Sequence, residues 1–336
     1  MAETKLKPIW RWQLTASSLI LLLIACAFSI TIGPVSLNVT DILKTLLGQS
    51  SNLNEQERLL LLEIRLPRVA LAVLVGSALA ASGAVYQTVF RNPLADPYLL
   101  GAAAGAGLGA TIAFTSTQNE FSASLPLFAF LGGILAVTAS FLVAGSRYSD
   151  PNSLLLSGIA VGSFATAVQT FLQQRNSDVL RPVYSWILGQ LTVADWDSVR
   201  WAAIYIFLAL GVLVSLSKIL DALMLSDEEA FSLGVSPNKI RIIAVCAATL
   251  ATATAVSVSG LIGFVGIVVP HIIKRLTKKA TNRALLTIAI FGAAFLVLAD
   301  LGARTLISPA EVPIGVITAF VGAPFFLLIL RTRGGK

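Results

Sequence analysis

The stretch that decides the fold is RLPRVALAVLVGSALAASGAVYQTVFRNPLADPYLLGAAAGAGLG, residues 65–109. Its apolar run from Val69 to Val89 is long enough, at 1.5 Å per residue, to cross a bilayer core of about 30 Å. The turn from Arg91 to Pro97 carries two prolines, which cannot continue a helix. The stretch therefore predicts a helical hairpin that crosses a membrane twice, with a tight polar turn between the crossings.

The second arm of this hairpin carries Gly101, Gly105 and Gly109, four residues apart, so they are predicted to share one helix face. In lipid, a face of small residues allows another helix to approach closely. Two interpretations stay open: the face packs against a neighbouring helix, or it lines a passage. Under the second interpretation Gly101 and Gly105 are candidate pathway residues.

The composition fits a membrane protein and excludes an ordinary soluble domain. The chain has 336 residues, of which 56% are hydrophobic and 12% charged, whereas soluble domains are about 25% charged. The net charge of +7 is compatible with nucleic-acid binding, but the positions of the charges fit a membrane protein better. One histidine, His271, excludes a multi-histidine metal site, and the chain carries no phosphate-binding loop of the nucleotide-binding type. We therefore predict an all-α polytopic membrane protein that binds no metal, cofactor or nucleic acid itself.

The apolar pattern predicts about ten transmembrane helices. They are Leu14–Ile32, Val69–Val89, Leu99–Phe114, Leu125–Ala144, Leu154–Leu172, Val199–Leu216, Ile240–Val258, Leu261–Ile273, Leu285–Leu301 and Ile314–Leu330. The eighth is about 13 residues long, short of the roughly 17 needed to cross, and it contains Gly263, Gly266 and Pro270. Because broken backbone at membrane depth must be buried in protein or face a water-filled cavity, this span is a pathway candidate.

Basic residues predict the orientation. Ten spans put both termini on one side, and sixteen of the 24 Lys and Arg residues then lie in segments on that side, including the cluster Lys274, Arg275, Lys278, Lys279 and Arg283. This excess predicts that both termini are cytoplasmic. Lys5, Lys7 and Arg11 before the first apolar run also suit a secretory signal or lipoprotein leader. The run continues past Cys26, however, which favours a first span.

Two outer segments and one inner segment are predicted to be amphipathic rather than spanning. Thr40–Leu47 predicts a short helix capped by Thr40, and Arg175–Ser198 places Tyr184, Trp186 and Trp196 where headgroups lie. On the inner side, Ser226 and Glu229 form a capping box, Gly234 ends that helix, and Pro237 begins another, which predicts two very short helices. Phe231, Leu233 and Val235 would then be exposed, either in an ordinary loop or as a docking surface for a cytoplasmic partner.

Seven motifs together resemble one family. They are Arg65-Leu-Pro-Arg68, Arg91-Asn-Pro-Leu-Ala-Asp-Pro97, Leu154-Leu-Leu-Ser-Gly158, Trp186-Ile-Leu-Gly189, Glu228-Glu-Ala-Phe-Ser-Leu-Gly-Val235, Gly263-Phe-Val-Gly266 with Pro270-His271, and Pro313-Ile-Gly315 with Gly322-Ala-Pro-Phe325. In this order they resemble the FecCD/BtuC permeases, the membrane subunits of ABC importers for iron–siderophores, haem and cobalamin. The resemblance implies the type II importer permease fold, with residues 1–336 as one transmembrane domain.

The resemblance also implies partners and sites. The partners are a second permease subunit, two cytoplasmic ATPase subunits that carry ATP and Mg, an extracytoplasmic binding protein and the surrounding membrane lipid. The implied site residues are, for ATPase coupling within a loop of about 221–239, Glu228, Glu229, Ala230, Leu233, Gly234 and Val235; for gates, Asn92, Leu94 and Leu156; and for binding-protein docking, Arg65, Arg68 and Arg304. The residues Pro151-Asn-Ser153 depart from the family pattern before the second gate. For the arginines, interfacial snorkelling or an Asp300–Arg304 pair at i, i+4 is the alternative.

The implied function is transport of an intact iron–siderophore across a bacterial inner membrane by ATP-driven alternating access, with no chemistry on the cargo and hence no enzyme activity. Cobalamin and haem are the alternative cargoes. An ion-coupled secondary transporter would need ionisable residues at mid-membrane, and the spans offer only Asp300 and His271, both near span ends. An intramembrane enzyme would need a nucleophile or metal constellation, which this sequence lacks. For His271 a structural role is favoured over ligand binding.

Overall fold

The computed structural model describes residues 9–333 apart from 34, 36, 118–123, 148–149, 193 and 278–283, and the described chain is almost entirely helical. Its α-helices are α1 Ile9–Thr31, α2 Val39–Leu46, α3 Glu55–Leu59, α4 Leu66–Val89, α5 Ala102–Thr117, α6 Leu125–Ala144, α7 Pro151–Arg175, α8 Leu180–Ile187, α9 Trp196–Leu220, α10 Asp227–Ser232, α11 Pro237–Ser259, α12 Val265–Thr277, α13 Leu285–Thr305 and α14 Ile314–Arg333. A π-helical turn, Leu60–Arg65, joins α3 to α4. Short 3-10 turns occupy Gly145–Arg147, Ser177–Val179 and Asp221–Met224.

Each of the ten predicted spans corresponds to one helix of the bundle: α1, α4, α5, α6, α7, α9, α11, α12, α13 or α14. Seven described helices are long and apolar enough to cross a membrane. In α5 and α14 the apolar stretches, Ala102–Ser116 and Ile314–Leu327, are shorter than those of the seven. The eighth predicted span is α12, with 13 residues. The predicted all-helical, polytopic architecture is therefore confirmed.

Helix α4 forms the centre of the bundle, and every residue from Ala78 to Val89 is buried. Small residues let α13 and α12 approach it closely. A Cβ at Gly76 would overlap the carbonyl of Gly292 in α13, and one at Gly83 would overlap the backbone of Gly266 in α12. Close backbone approach through small residues is the packing mode that lipid favours, because apolar side chains gain little from leaving a lipid environment.

The glycines of α5 pack against helices rather than lining a free surface. Gly105 lies against the backbone of Gly132 in α6, and Gly109 lies against that of Phe128 in the same helix. Gly101 precedes α5, with φ +83°, and lies near Gly158 and Gly162 of α7. The packing interpretation is thus confirmed. The prediction that the three share one face is wrong because α5 begins only at Ala102.

The predicted outer segments differ from the structure in detail. Helix α2 begins at Val39 after Asn38, so the Thr40 cap is wrong, and Gly48, with φ +70°, follows the end of the helix. Tyr184 is exposed, but Trp186 is buried, and the Trp196 Nε1–H donates to the Leu62 carbonyl at 2.9 Å. These two indoles therefore stabilise the bundle itself.

Candidate functional site

The predicted coupling helix exists as α10. The Ser226 hydroxyl accepts from the Glu229 amide at 3.2 Å, and the Glu229 carboxylate accepts from the Ser226 amide at 3.0 Å, which confirms the capping box. Gly234 follows with φ +76°. The prediction of a second very short helix is wrong: Pro237 begins α11, which continues unbroken to Ser259 because nothing in its apolar run interrupts it.

The coupling residues divide between the surface and the core. Phe231 and Leu233 are 59% and 65% exposed, while Ala230 is buried against the bundle and Val235 is half-buried. Glu228, Glu229 and Gly234 are exposed. The structure therefore presents two large apolar side chains on a short capped helix, with the next residues anchoring that helix to the bundle.

One guanidinium group ties this segment to the turn that follows α4. Arg91 donates from Nε to the Leu223 carbonyl at 2.9 Å and from Nη2 to the Leu225 carbonyl at 2.6 Å, and its Nη2 lies 2.7 Å from Asp227 Oδ1. The buried Arg241 of α11 also approaches Asp227, at 3.4 Å. Residues 91–97 and 221–236 therefore lie at the same end of the bundle.

The predicted gate turn is ordered by its own side chains. The Asn92 Oδ1 accepts from the Leu94 amide at 2.9 Å, and the Asn92 carbonyl accepts from the Ala95 amide at 3.0 Å. Leu94 is 36% exposed. Burial raises the pKa of the Asp96 carboxyl to about 6, although the Tyr98 amide, 2.8 Å from its Oδ1, offsets part of that effect.

The far side of the turn is fixed to mid-bundle backbone. The Tyr98 hydroxyl donates to the Ile262 carbonyl at 3.0 Å and accepts from the Ile262 amide at 3.2 Å. Pro97 fills the space that a side chain at Gly266 would need. Within the turn, Pro97 and Tyr98 are therefore held by contacts with the segment at Ile262 and Gly266.

Leu156, the second predicted gate residue, lies on α7 and is 65% exposed. The atypical residues just before it form the start of that helix. The Asp150 carboxylate accepts from the amides of Asn152 and Ser153, and also from the Ser153 hydroxyl at 2.7 Å. The amides of Asn152 and Ser153 and the Ser153 hydroxyl are thus engaged by the N-cap residue Asp150.

Three chain reversals meet in what we call the backbone crossing, residues 186–190, 259–262 and 313–315. The Gln190 amide donates to the Ser259 carbonyl at 2.8 Å, the Ile314 amide to the Gly189 carbonyl at 3.1 Å, and the Gly315 amide to the Leu188 carbonyl at 3.1 Å. The broken start of α12 therefore finds its backbone partners inside the protein, as membrane depth requires. His271 of α12 lies edge-on to Phe325 of α14, with ring centroids 6.0 Å apart, which agrees with a structural role.

The three predicted docking arginines lie together at the opposite end of the bundle, but they are buried. Arg68 approaches Asp300 at 2.9 Å and Glu311 at 2.8 Å, and Arg304 approaches Asp300 at 3.2 Å. Arg65 instead donates to the carbonyls of Ile30, Thr31 and Val35. All three guanidinium groups therefore have partners within the chain, among them the Asp300–Arg304 pair that the sequence analysis gave as the alternative, and their role in docking stays a prediction.

Two cavities open at this end. A small one of about 120 Å³ is lined by Arg68, Glu311 and the backbone crossing. A larger one of about 990 Å³ lies between α6, α8, α9 and the end of α11, where Phe130, Trp201 and Tyr205 form a cluster of rings. None of the residues predicted for gating, coupling or docking lines the larger cavity.

Sequence patterns missed Arg91, Asp227 and Glu311 as parts of these sites. The Arg91–Asp227 and Arg68–Glu311 pairs carried no local signal, since their members are 136 and 243 residues apart along the chain. For Arg91 a signal did exist. It occupies the position after a helix where glycine is usual, and its φ is +48°.

Comparisons with known proteins agree on one family. The model of the FecCD transport family matches residues 21–332. The cobalamin import permease of Halobacterium salinarum is 40% identical over 272 residues, covering 80% of this chain and 73% of that protein. The iron(III)-citrate import permease of Bacillus subtilis is 33% identical and the hemin transport permease of Yersinia pestis 40% identical, each covering 94% of both chains. A solved metal-chelate type ABC transporter in an inward-facing conformation matches with a TM-score of 0.83 and 30% identity, covering 96% of this chain and 99% of that chain.

Proposed function

The chain belongs to the FecCD transport family, and on that premise we propose that it carries an iron–siderophore into the cytoplasm as one subunit of a binding-protein-dependent importer. It is an ABC importer permease with the type II fold, a multi-pass membrane protein and a transporter rather than an enzyme. The cargo, the energy source and the identity of the partner subunits are the proposed parts. Each is argued below from the residues that support it.

The cargo proposal depends on what the relatives share. Their names specify cobalamin, iron(III) citrate and hemin, each a metal enclosed in an organic chelate. Two of these three cargoes, iron(III) citrate and hemin, contain iron, and we take an iron–siderophore as the first choice, with cobalamin and haem as alternatives. An ion-coupled transporter is disfavoured because Asp300, the carboxylate of α13, is balanced by Arg68 and Arg304.

The observation that carries the energy proposal is α10. This helix exposes Phe231, and Leu233 at its C-cap is exposed beside it, which leaves apolar surface that a partner would cover. We assign that partner as the ATPase subunit, which would bind ATP and Mg. Displacement of α10 on ATP binding and hydrolysis would then shift the permease between its two access states.

The remaining partners complete the proposed assembly. Leu156, Ile159 and Phe164 of α7 are more than half exposed, which suits contact with a second permease subunit. Binding-protein docking through Arg65, Arg68 and Arg304 would require their cluster to open. The Glu311 side chain is 34% exposed, and a carboxylate of the binding protein would take its place beside Arg68. The end that carries α10 is proposed to be cytoplasmic, together with both termini; Lys278, Lys279 and Arg283 of the predicted basic cluster fall outside the described residues.

Uptake measurements test the proposal. Cells that lack this chain, with and without a plasmid copy, would be supplied with radiolabelled iron–siderophore, cobalamin or haem. We expect the plasmid copy to restore only iron–siderophore uptake and an ATPase subunit to co-purify with the chain. If the plasmid copy restored uptake of cobalamin or haem alone, that compound would be the cargo and the iron–siderophore proposal would be wrong. Uptake driven by an ion gradient without any ATPase would overturn it.

A further inference from the structure

Arg91 occupies an unfavourable backbone position at the end of α4. The Arg91 amide donates to the Thr88 carbonyl at 3.2 Å, and the Asn92 amide donates to the Gln87 carbonyl at 3.0 Å. This pair of bonds is the Schellman ending of a helix, whose left-handed residue is usually glycine. Here that residue is arginine, with φ +48°. A side chain placed where its Cβ is disfavoured indicates that the side chain itself is needed.

The Arg91 side chain, which is 38% exposed, bonds one segment through its Nε and Nη2 atoms. Its Nε and Nη2 bond the Leu223 and Leu225 carbonyls and the Asp227 carboxylate, all within 2.9 Å. The two carbonyls immediately precede α10, and Asp227 is its first residue. A guanidinium group can serve several acceptors at fixed angles, which a lysine ammonium on its flexible stem cannot reproduce. Any rigid displacement of α10 therefore moves Arg91.

The backbone next to Arg91 is the gate turn. Asn92 follows directly, and its side chain and carbonyl position Leu94 and Ala95. On the far side Tyr98 is held to Ile262 and Pro97 is packed on Gly266, so this side cannot follow the movement. A displacement transmitted through Arg91 is consequently concentrated in residues 92–96.

From these contacts we infer that Arg91 is the positioning residue that transmits movement of α10 to the turn at Asn92–Asp96. The inference rests on the proposed function, in which α10 contacts the ATPase. It assigns the transmission to one side chain rather than to the packing of the whole bundle. Movement of the segment 223–227 would reach Arg91 through its hydrogen bonds, and the result would be a change in the exposure of Leu94.

The variant Arg91→Gly tests the inference sharply because it separates folding from coupling. Glycine suits the left-handed position, so the thermal midpoint of the complex should equal or exceed that of the wild type. Cargo transported per ATP hydrolysed should nevertheless fall by at least about fivefold. Arg91→Lys keeps the positive charge but cannot bond all three acceptors. Its cargo transported per ATP should lie between the values of the wild type and of Arg91→Gly. Arg200→Ala removes a cation from the exposed pair with Asp197 and serves as the control, expected to match the wild type.

A second readout follows the turn directly. A cysteine placed at Leu94, in a chain lacking Cys26 and Cys246, should change its labelling rate when ATP is added to the wild-type complex and should not change in the Arg91→Gly complex. Unchanged transport per ATP in Arg91→Gly would overturn the inference. So would a parallel loss of stability or of ATPase association, since Arg91 would then be merely structural. A wild-type complex without cargo-dependent ATP hydrolysis would instead refute the proposed function, and the role of Arg91 with it.

Discussion

Arg68 and Asp300 form an ion pair between α4 and α13, with 2.9 Å between guanidinium and carboxylate and side-chain exposures of only 8% and 1%. Arg304 approaches the same carboxylate from one turn further along α13. Asp300 therefore compensates two buried cations, and its removal leaves Arg304 without its carboxylate partner and Arg68 with Glu311 alone.

We expect Asp300→Asn to destabilise the permease by about 3–5 kcal/mol, because breaking a buried pair leaves uncompensated charge in a low dielectric. The measurement is the thermal midpoint in detergent. Asp197→Asn is the matched control, since its pair with Arg200 is largely exposed and contributes little. Equal midpoints for the two variants would show that the Asp300 cluster is not a stabilising element.

Substitution of Gly83 tests the close approach of α4 and α12. A methyl group there would overlap the Gly266 backbone, so Gly83→Ala should cost about 1–3 kcal/mol through overpacking. Gly211→Ala in α9 adds the same methyl group in open space and should be neutral or stabilising by up to about 1 kcal/mol. A Gly83→Ala protein as stable as Gly211→Ala would contradict the packing described.

The coupling turn can be tested with two glycines in nearly the same conformation. Gly234 and Gly48 have φ values of +76° and +70°, and neither Cβ position has a neighbour within 4 Å. A valine at either site should cost about 1–2 kcal/mol of backbone strain. We expect Gly234→Val alone to weaken co-purification of the ATPase and to lower uptake. A similar loss in Gly48→Val would mean that strain, not the coupling turn, is responsible.

Orientation is open to chemical labelling. Ser232 on α10 and Ser177 after α7 are both exposed, and they belong to the predicted inner and outer sides. In a chain lacking Cys26 and Cys246, a cysteine at Ser177 should react with an impermeant thiol reagent applied to intact cells, and one at Ser232 should react only after lysis. Reaction of the Ser232 variant from outside would reverse the topology.

The raised pKa of Asp96 predicts that the stability of the folded protein depends on pH. Because its pKa is raised to about 6 in the folded protein, from an ordinary value of 3.8, the folded state holds the proton more tightly than the unfolded state. Stability should therefore fall as the pH rises from about 4 to about 6 and then level off. Thermal midpoints across this range should lose that slope in Asp96→Asn and keep it in Asp178→Asn, an exposed control. An unchanged slope in Asp96→Asn would refute the assignment.

Features that depend on neighbouring residues could be predicted from the sequence. The lengths of the apolar runs predicted the ten bundle helices, and the spacing of Ser226 and Glu229 predicted the capping box. Contacts between distant segments could not be predicted in this way, since Arg68 and Asp300 are 232 residues apart. The choice between packing and passage for Gly105 likewise depended on where α6 lies. The site roles of Asn92, Leu156 and the coupling residues remain predictions from the resemblance.

The backbone crossing has a consequence for how the chain is made. The carbonyls of Leu188 and Gly189, in the middle of the sequence, are bonded by the amides of Gly315 and Ile314 near its end. A buried carbonyl without a donor is costly in a membrane, so this region cannot reach its final form before residues 314 and 315, the first two of α14, have been synthesised. A nascent chain stalled before residue 314 should thus expose its own midpoint to quality-control proteases, and the final helix acts as the closing step of assembly.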